Sequence, residues 1–161
     1  LEEHAARMAK EGKLIAQVAL PESCAHGSYF APRAYEIPSL ATLTREVFGP
    51  VLHVVRYAAK DLDAVIDAIN ATGYGLTLGI HSRIDGTVAH IQRRARAGNC
   101  YVNRNMIGAV VGVQPFGGEG LSGTGPKAGG PHYLARFATE RTLTINTTAA
   151  GGNASLLTLG T

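Results

Sequence analysis

Between residues 51 and 103 the hydrophobic period of the chain switches four times, and that alternation limits the fold more than any other feature. Val51–Tyr57 is a largely β-branched and apolar run, the pattern of a strand covered on both faces. Leu62, Val65, Ile66 and Ile69 then fall on one stripe of a helix over Lys60–Thr72, which Gly73 stops. Leu76, Leu78 and Ile80 alternate through a strand at Gly75–Ser82. Val88, Ile91 and Ala95 face inward from a helix over Asp85–Ala97, ended by Gly98, and Asn99–Asn103 reads as one more strand. Strands alternating with helices in this order are joined by right-handed crossovers. The expected class is therefore α/β, with a mostly parallel sheet flanked by helices.

The flanks follow from simpler signals. Residues 1–11 read as a helix capped by Gly12, and Lys13–Leu20 as a strand ended by Pro21. Pro21–Thr42, rich in Pro, Ser, Gly and Tyr, suits short strands and turns. Residues 104–131 form a glycine-rich loop of a length that compact domains keep for function. A short helix at Pro131–Phe137 and a strand at Glu140–Thr147 follow, with Leu143 and Ile145 alternating against polar neighbours. The expected division is residues 1–139 as a partial catalytic domain, 140–148 as an oligomerisation strand and 149–161 as a tail. The Glu140–Thr147 strand has no later segment to pair with, which points to a homo-oligomer contact or to residues upstream. The chain opens inside a helical pattern without an initiator Met, so it is expected to be a piece of a longer protein.

Composition removes several classes. Hydrophobic residues make up 45% and charged ones 17%, too apolar for disorder. No apolar run is long enough for a membrane span and no signal peptide opens the chain. The net charge of +3 suits weak attraction to anions, but no basic stripe interleaved with aromatics argues for nucleic acid. The densest basic run, Arg93-Arg94-Ala95-Arg96, lies on a helix and reads as its solvated face. Cys24 and Cys100 make neither a metal motif nor a disulfide framework, which fits a reducing cytoplasm.

Three motifs tempt and fail. Gly118-Glu119-Gly120-Leu121-Ser122-Gly123 matches the dinucleotide fingerprint by letter, but no strand precedes it and Thr124-Gly125-Pro126 stands where its helix should run. Gly123–Lys127 has no Ser or Thr after the lysine, as a phosphate loop requires. Cys24 lies two residues before His26, a thiol near an imidazole, yet a small apolar Cys in a turn is the commoner outcome. Glu46-Val47-Phe48-Gly49-Pro50-Val51 is more informative. Glu46 is either a surface carboxylate or, at a strand entrance, an acceptor for the vicinal hydroxyls of a ribose. Phe48 is either a core residue or a flat wall for a ring.

Taken in order, Glu46–Pro50, Asn70 before Tyr74-Gly75-Leu76, Val102-Asn103, Pro115-Phe116-Gly117-Gly118 and Ser122–Gly125 resemble the C-terminal half of the aldehyde dehydrogenase catalytic domain. The longer runs Tyr101–Arg104, Gly108–Gly118 and Ser122–Leu134 are similar to glutamate-γ-semialdehyde (pyrroline-5-carboxylate) dehydrogenases, above all to the dehydrogenase module of bifunctional proline utilization flavoenzymes. The resemblance implies an NAD-dependent oxidation of L-glutamate γ-semialdehyde to L-glutamate. Glu46 would bind the nicotinamide ribose, and Phe48 would pack beside the nicotinamide. Gly108 and Ala109 would hold the substrate carboxylate through backbone amides, a glycine-rich anion nest. Phe116 would pack on the aliphatic part of the substrate. Many relatives carry Ser at the position of Ala109, which leaves backbone donors only. Met106-Ile107 departs from the polar residues expected there. The nucleophilic cysteine of the family would lie upstream of Leu1, so this chain alone would be inactive; FAD would belong to a proline dehydrogenase module outside it. An aldehyde dehydrogenase of other specificity, or a non-catalytic assembly remnant, are the alternatives.

Overall fold

The structure, a computed structural model, describes residues 1–146. It opens with helix α1 (Glu2–Glu11), which carries Glu2 and Glu3 in its first turn and Lys10 in its last, charges that complement the helix dipole. Its inner face buries Met8 completely against Tyr35 and Ile37, with Leu43, Val51 and Val55 packed around them. The Tyr35 hydroxyl donates to the Ala5 carbonyl at 3.3 Å, so the ring is buried without leaving its polar end unsatisfied.

That core sits on a three-stranded sheet of β1 (Lys13–Gln17), β2 (Arg33–Glu36) and β3 (Val51–Val54). β1 runs antiparallel to β2 with a register shift between Leu14 and Ala16, and β2 runs parallel to β3. β1 stops three residues before the expected Leu20, because Val18 donates to the Pro32 carbonyl and Pro32 has no N–H to return the bond. β3 likewise ends before Tyr57. It is not covered on both faces, since Leu52 is 62% exposed.

The second unit contains helix α2 (Leu62–Ala71), led in by a 3₁₀ turn at Ala59–Asp61, and then β4 (Tyr74–Gly75), β5 (Thr77–Ile80), helix α3 (Asp85–Arg94) and β6 (Asn99–Val102). β5 and β6 pair in parallel across α3, the expected crossover. Ile66 is fully buried, and Leu62, Val65, Ile69, Leu78, Ile80 and Ile91 line the same groove between α2, β5 and α3. The helical stripe is therefore the one the sequence indicates. The two helices are tied at their surface by Asp63 and Asp67 of α2 and His90 and Arg94 of α3, at 2.5–2.8 Å. Arg94 thus belongs to an ion-pair network and not simply to a solvated face. At the far end Asn70 bridges to α3: its Nδ2 donates to the Arg94 carbonyl at 2.9 Å and its Oδ1 accepts from the Arg96 amide at 2.8 Å.

Asn103 ends β6 with φ of 53°, a left-handed conformation that Asn tolerates better than most residues. Its side chain accepts from the Ser82 amide at 3.0 Å and donates to the Ser82 carbonyl at 2.9 Å. Beyond it residues 104–131 are mostly turns, interrupted by β7 (Glu119–Gly120), which pairs antiparallel with β4. The sheet is thus not one continuous parallel array. Two parallel pairs, β2–β3 and β5–β6, stand in separate sheets beside antiparallel additions.

The expected helix at Pro131–Phe137 is a 3₁₀ turn over Leu134–Phe137. For Glu140–Thr147 the expected strand partner lies outside this chain. Glu140–Asn146 joins no β-ladder among the described residues, because a strand exists only with a partner, and Thr147 lies outside them. The tail from Ala149 also lies outside the described residues.

Candidate functional site

Phe116 is half-buried and held from two sides. Its own backbone exchanges hydrogen bonds with Ala128, Phe116 N to Ala128 O at 3.0 Å and Ala128 N to Phe116 O at 2.9 Å. Its neighbours are gripped by the buried carboxamide of Asn99: Nδ2 donates to the Pro115 carbonyl at 3.0 Å, and Oδ1 accepts from the Gly117 amide at 3.2 Å. The Tyr101 hydroxyl lies 3.2 Å from the same Nδ2, and the Lys127 amine donates to the Asn99 Oδ1 at 3.1 Å. That amine also donates to the carbonyl of Gly98. At Gly98 a Cβ would stand 1.8 Å from the Gly117 carbonyl oxygen, so only glycine lets the two backbones meet there.

The loop between these anchor points has a turn of its own. The amides of Val113 and Gln114 donate to the Val110 carbonyl, both at 3.0 Å, and the Gln114 side chain accepts from the Val110 amide at 3.2 Å. The amides of Gly108 and Ala109 have no hydrogen-bond partner among the described residues. Gly108 is not the strained glycine of this loop. Its φ is not left-handed, and a Cβ on it would meet nothing within 4 Å. The left-handed glycine of the 105–114 stretch is Gly112, with φ of 79°.

Glu46 is exposed at the edge of a cavity shared with Ile69, Tyr74, Gly75, Arg96 and Ser122, among others, and makes no hydrogen bond or ion pair among the described residues. Phe48 stands 92% exposed. Ser122 lines the same cavity as Glu46, its hydroxyl accepting from the Gly75 amide at 3.0 Å. Phe48, Gly108, Ala109 and Phe116 do not line this cavity. The structure therefore gives Glu46 a common surface with Ser122, and Phe116 a seat on β6.

Neither cysteine is set up as a nucleophile. Burial pushes the Cys100 thiol up, away from the thiolate. Cys24 ends a 3₁₀ turn at Glu22–Cys24 and makes no hydrogen bond to His26. The Gly118–Gly123 stretch runs through β7 into a turn and opens no helix, so it is no dinucleotide fingerprint. Among the described residues no group of three or more His, Cys, Asp or Glu is placed to hold a metal ion, and no helix is long and apolar enough to cross a membrane.

One titratable contact lies apart from this region. The imidazoles of His4 on α1 and His53 on β3 meet Nε2 to Nε2 at 2.9 Å, with the rings edge to face. An N···N bond needs one ring to donate and the other to accept, so at least one is neutral. Burial, followed by the charge of Arg7, holds His4 below the ordinary histidine range; burial and then His4 itself do the same to His53.

Sequence reasoning missed Asn99, Lys127, Gln114 and Ser122. Asn99 offered one signal, a polar residue opening a strand otherwise made of Cys, Tyr and Val, while Gln114, Ser122 and Lys127 lie within the runs that carry the resemblance without a role of their own.

A mixed α/β chain with these parallel pairs and this glycine-rich loop belongs to the aldehyde dehydrogenase family, whose profile matches residues 1–143. Within it, the chain is 57% identical over 139 residues to the bifunctional protein PutA of Rhizobium meliloti, covering 86% of this chain and 11% of that one. It is 37% identical over 136 residues to a 1-pyrroline-5-carboxylate dehydrogenase from Geobacillus, covering 83% of this chain and 26% of that one. The fold superposes on a crystal structure of a Bradyrhizobium japonicum proline utilization A mutant with a TM-score of 0.84 at 61% identity, over 92% of this chain and 15% of the other. The chain thus spans about a tenth of the length of the PutA proteins it matches.

Proposed function

We propose that this chain forms part of an NAD-dependent dehydrogenase that oxidises L-glutamate γ-semialdehyde to L-glutamate, and that it supplies cofactor and substrate walls to that site. The observation offered for the substrate assignment is that the consecutive amides of Gly108 and Ala109, like those of Ile107, Val111 and Gly112, have no hydrogen-bond partner among the described residues, while those of Val110, Val113 and Gln114 are taken. Free consecutive amides suit a carboxylate, which a simple aliphatic aldehyde lacks. The similarity to proteins named as 1-pyrroline-5-carboxylate dehydrogenases supports the same reading. Phe116 then packs on the aliphatic part of the substrate.

The residues present fit a nicotinamide cofactor. Glu46 offers a carboxylate with no partner among the described residues, able to accept from ribose hydroxyls, and the exposed Phe48 ring offers a flat wall. When bound, NAD⁺ accepts the hydride.

The reading is tested in the full-length protein by following NADH formation. Ala109→Pro deletes one amide donor. It is expected to lower kcat/KM for glutamate semialdehyde by about tenfold, while propanal, with no carboxylate, loses much less. Equal losses for both aldehydes would remove the support for this substrate. Glu46→Ala is expected to raise the KM for NAD⁺ more than that for the aldehyde.

We also propose that Glu140–Thr147 joins a strand of a second copy. Leu143 and Ile145 are exposed, which supports a covered position in an assembly. Leu143→Asp should then shift the full-length protein to a smaller species in light scattering, and an unchanged mass would count against the contact.

A further inference from the structure

The family resemblance assigns no site role to Asn99 or Lys127, yet the two converge on a residue to which it does. The Asn99 carboxamide is buried and uses both its ends on the backbone flanking Phe116, gripping Pro115 on one side and Gly117 on the other. A buried amide with partners on both ends keeps a single orientation, because rotating it would leave a donor facing a donor. Lys127 closes the arrangement. Its amine donates to Gly98, just before β6, and to Asn99, the first residue of β6, and the next residue, Ala128, makes both backbone bonds to Phe116. Both of its hydrogen bonds go to carbonyl-type oxygens, and no carboxylate pairs with it among the described residues. Between β6 and the 116–128 segment, side chains thus do what a ladder of backbone bonds does inside a sheet.

We infer that Asn99 and Lys127 are positioning residues that set Phe116 against β6, and through it the packing surface for the aldehyde. Neither touches the substrate; both act through Phe116. The inference rests on the proposed role of Phe116 in substrate packing, and its test separates the two.

The first measurement needs no turnover. The full-length protein is labelled with 4-fluorophenylalanine, and the resonance of residue 116 is identified by its loss in Phe116→Leu. A single sharp line is expected in the parent. In Asn99→Leu, and independently in Lys127→Met, that line is expected to shift or split as the ring samples more than one seat. The second variant covers the case in which the first fails to fold, since Lys127 is only half-buried. An unchanged line in both folded variants overturns the inference.

The second measurement is kinetic. Both substitutions are expected to raise the aldehyde KM by about tenfold while the KM for NAD⁺ stays within about twofold. In a Phe116→Ala background the same substitutions should add less than about twofold, because residues acting through one contact are not additive. Full additivity overturns positioning through Phe116. If the fluorine line responds but the parent protein does not oxidise glutamate semialdehyde, the functional reading fails and the positioning stands.

Discussion

Helices α2 and α3 meet through side chains, whereas the loop of residues 104–131 is held chiefly by backbone groups and by a few side chains that reach into it. In the helical pair, Ile66 is fully buried, Asp63 and Asp67 pair with His90 and Arg94, and Asn70 caps the far end. In the loop, Ile107, Val111 and Val113 project outward, Val111 being 97% exposed. Its order comes from turns at Val110–Gln114, from the Phe116–Ala128 bridge and from Asn99. Stability and recognition are thus assigned to different chemical groups. The helical pair uses buried hydrocarbon and charge. The loop leaves amides and apolar side chains available.

The sharpest way to break this contrast is to make the same kind of truncation in both regions. Ile66→Ala removes fully buried methylenes and is expected to cost about 2–5 kcal/mol in denaturant unfolding. Val111→Ala, in open solvent, should stay within about 0.5 kcal/mol. Comparable losses at the two sites would mean that the loop packs more tightly than its exposure indicates. Asn70→Ala comes next. It strips two backbone groups of their partners and should cost about 1–3 kcal/mol, seen as a lower midpoint of thermal unfolding.

A third substitution pair tests the loop alone. Gly112→Val places a β-branched residue at φ of 79° and should cost about 1–2 kcal/mol. Gly108→Val should cost less, having neither a positive φ nor a neighbour to strike.

Acidification sharpens the contrast with the smallest expected effect. The folded pKa values of His4 and His53 lie below the ordinary 6.5, so the unfolded chain binds more protons as the pH falls through that value. Their contribution is present above pH 6.5 and is lost below it. Asp63, its carboxyl held below the ordinary 3.8 chiefly by the hydrogen bond from His90, contributes above that value. This contribution is lost as the pH falls through the lowered folded pKa, and it is weak because the pair is exposed and screened by salt. Thermal unfolding across both windows should show the larger step near the histidines.

The same contrast explains what could be read from the sequence. The stripe Leu62, Val65, Ile66, Ile69 and the alternation Leu76, Leu78, Ile80 are periodic, and a period survives any tertiary context that buries one face. Those elements stand where the periodicity puts them, trimmed at their ends where backbone partners run out, as at Val18 opposite Pro32. Glu46, Phe48 and Phe116 were found through a motif order, which records residue types but no contacts. What could not be read is the part that depends on chain crossing. Asn99 and Lys127 are 28 residues apart and meet only because Gly98 lets the 117 backbone approach. The conformation of Gly108 is likewise not legible in the sequence: glycine permits a left-handed φ but does not require it, and in the turn closed by Gln114 that need falls at Gly112. Glu140–Asn146 is periodic but joins no β-ladder among the described residues, and periodicity alone does not supply a pairing strand.

The close crossing of Gly98 and Gly117 has one more consequence. It works as a neck: the chain enters β6 from Gly98 and comes back beside it at Gly117, so the intervening residues form a lobe closed at its base. Lengthening such a lobe adds little closure cost, since that cost grows only with the logarithm of its length. The tip near residues 105–113 is therefore a place where insertions and exchanges can accumulate in related chains without shifting the register of β6 or the seat of Phe116. A family built this way can change what it grips at one end of the lobe while inheriting the other end unaltered.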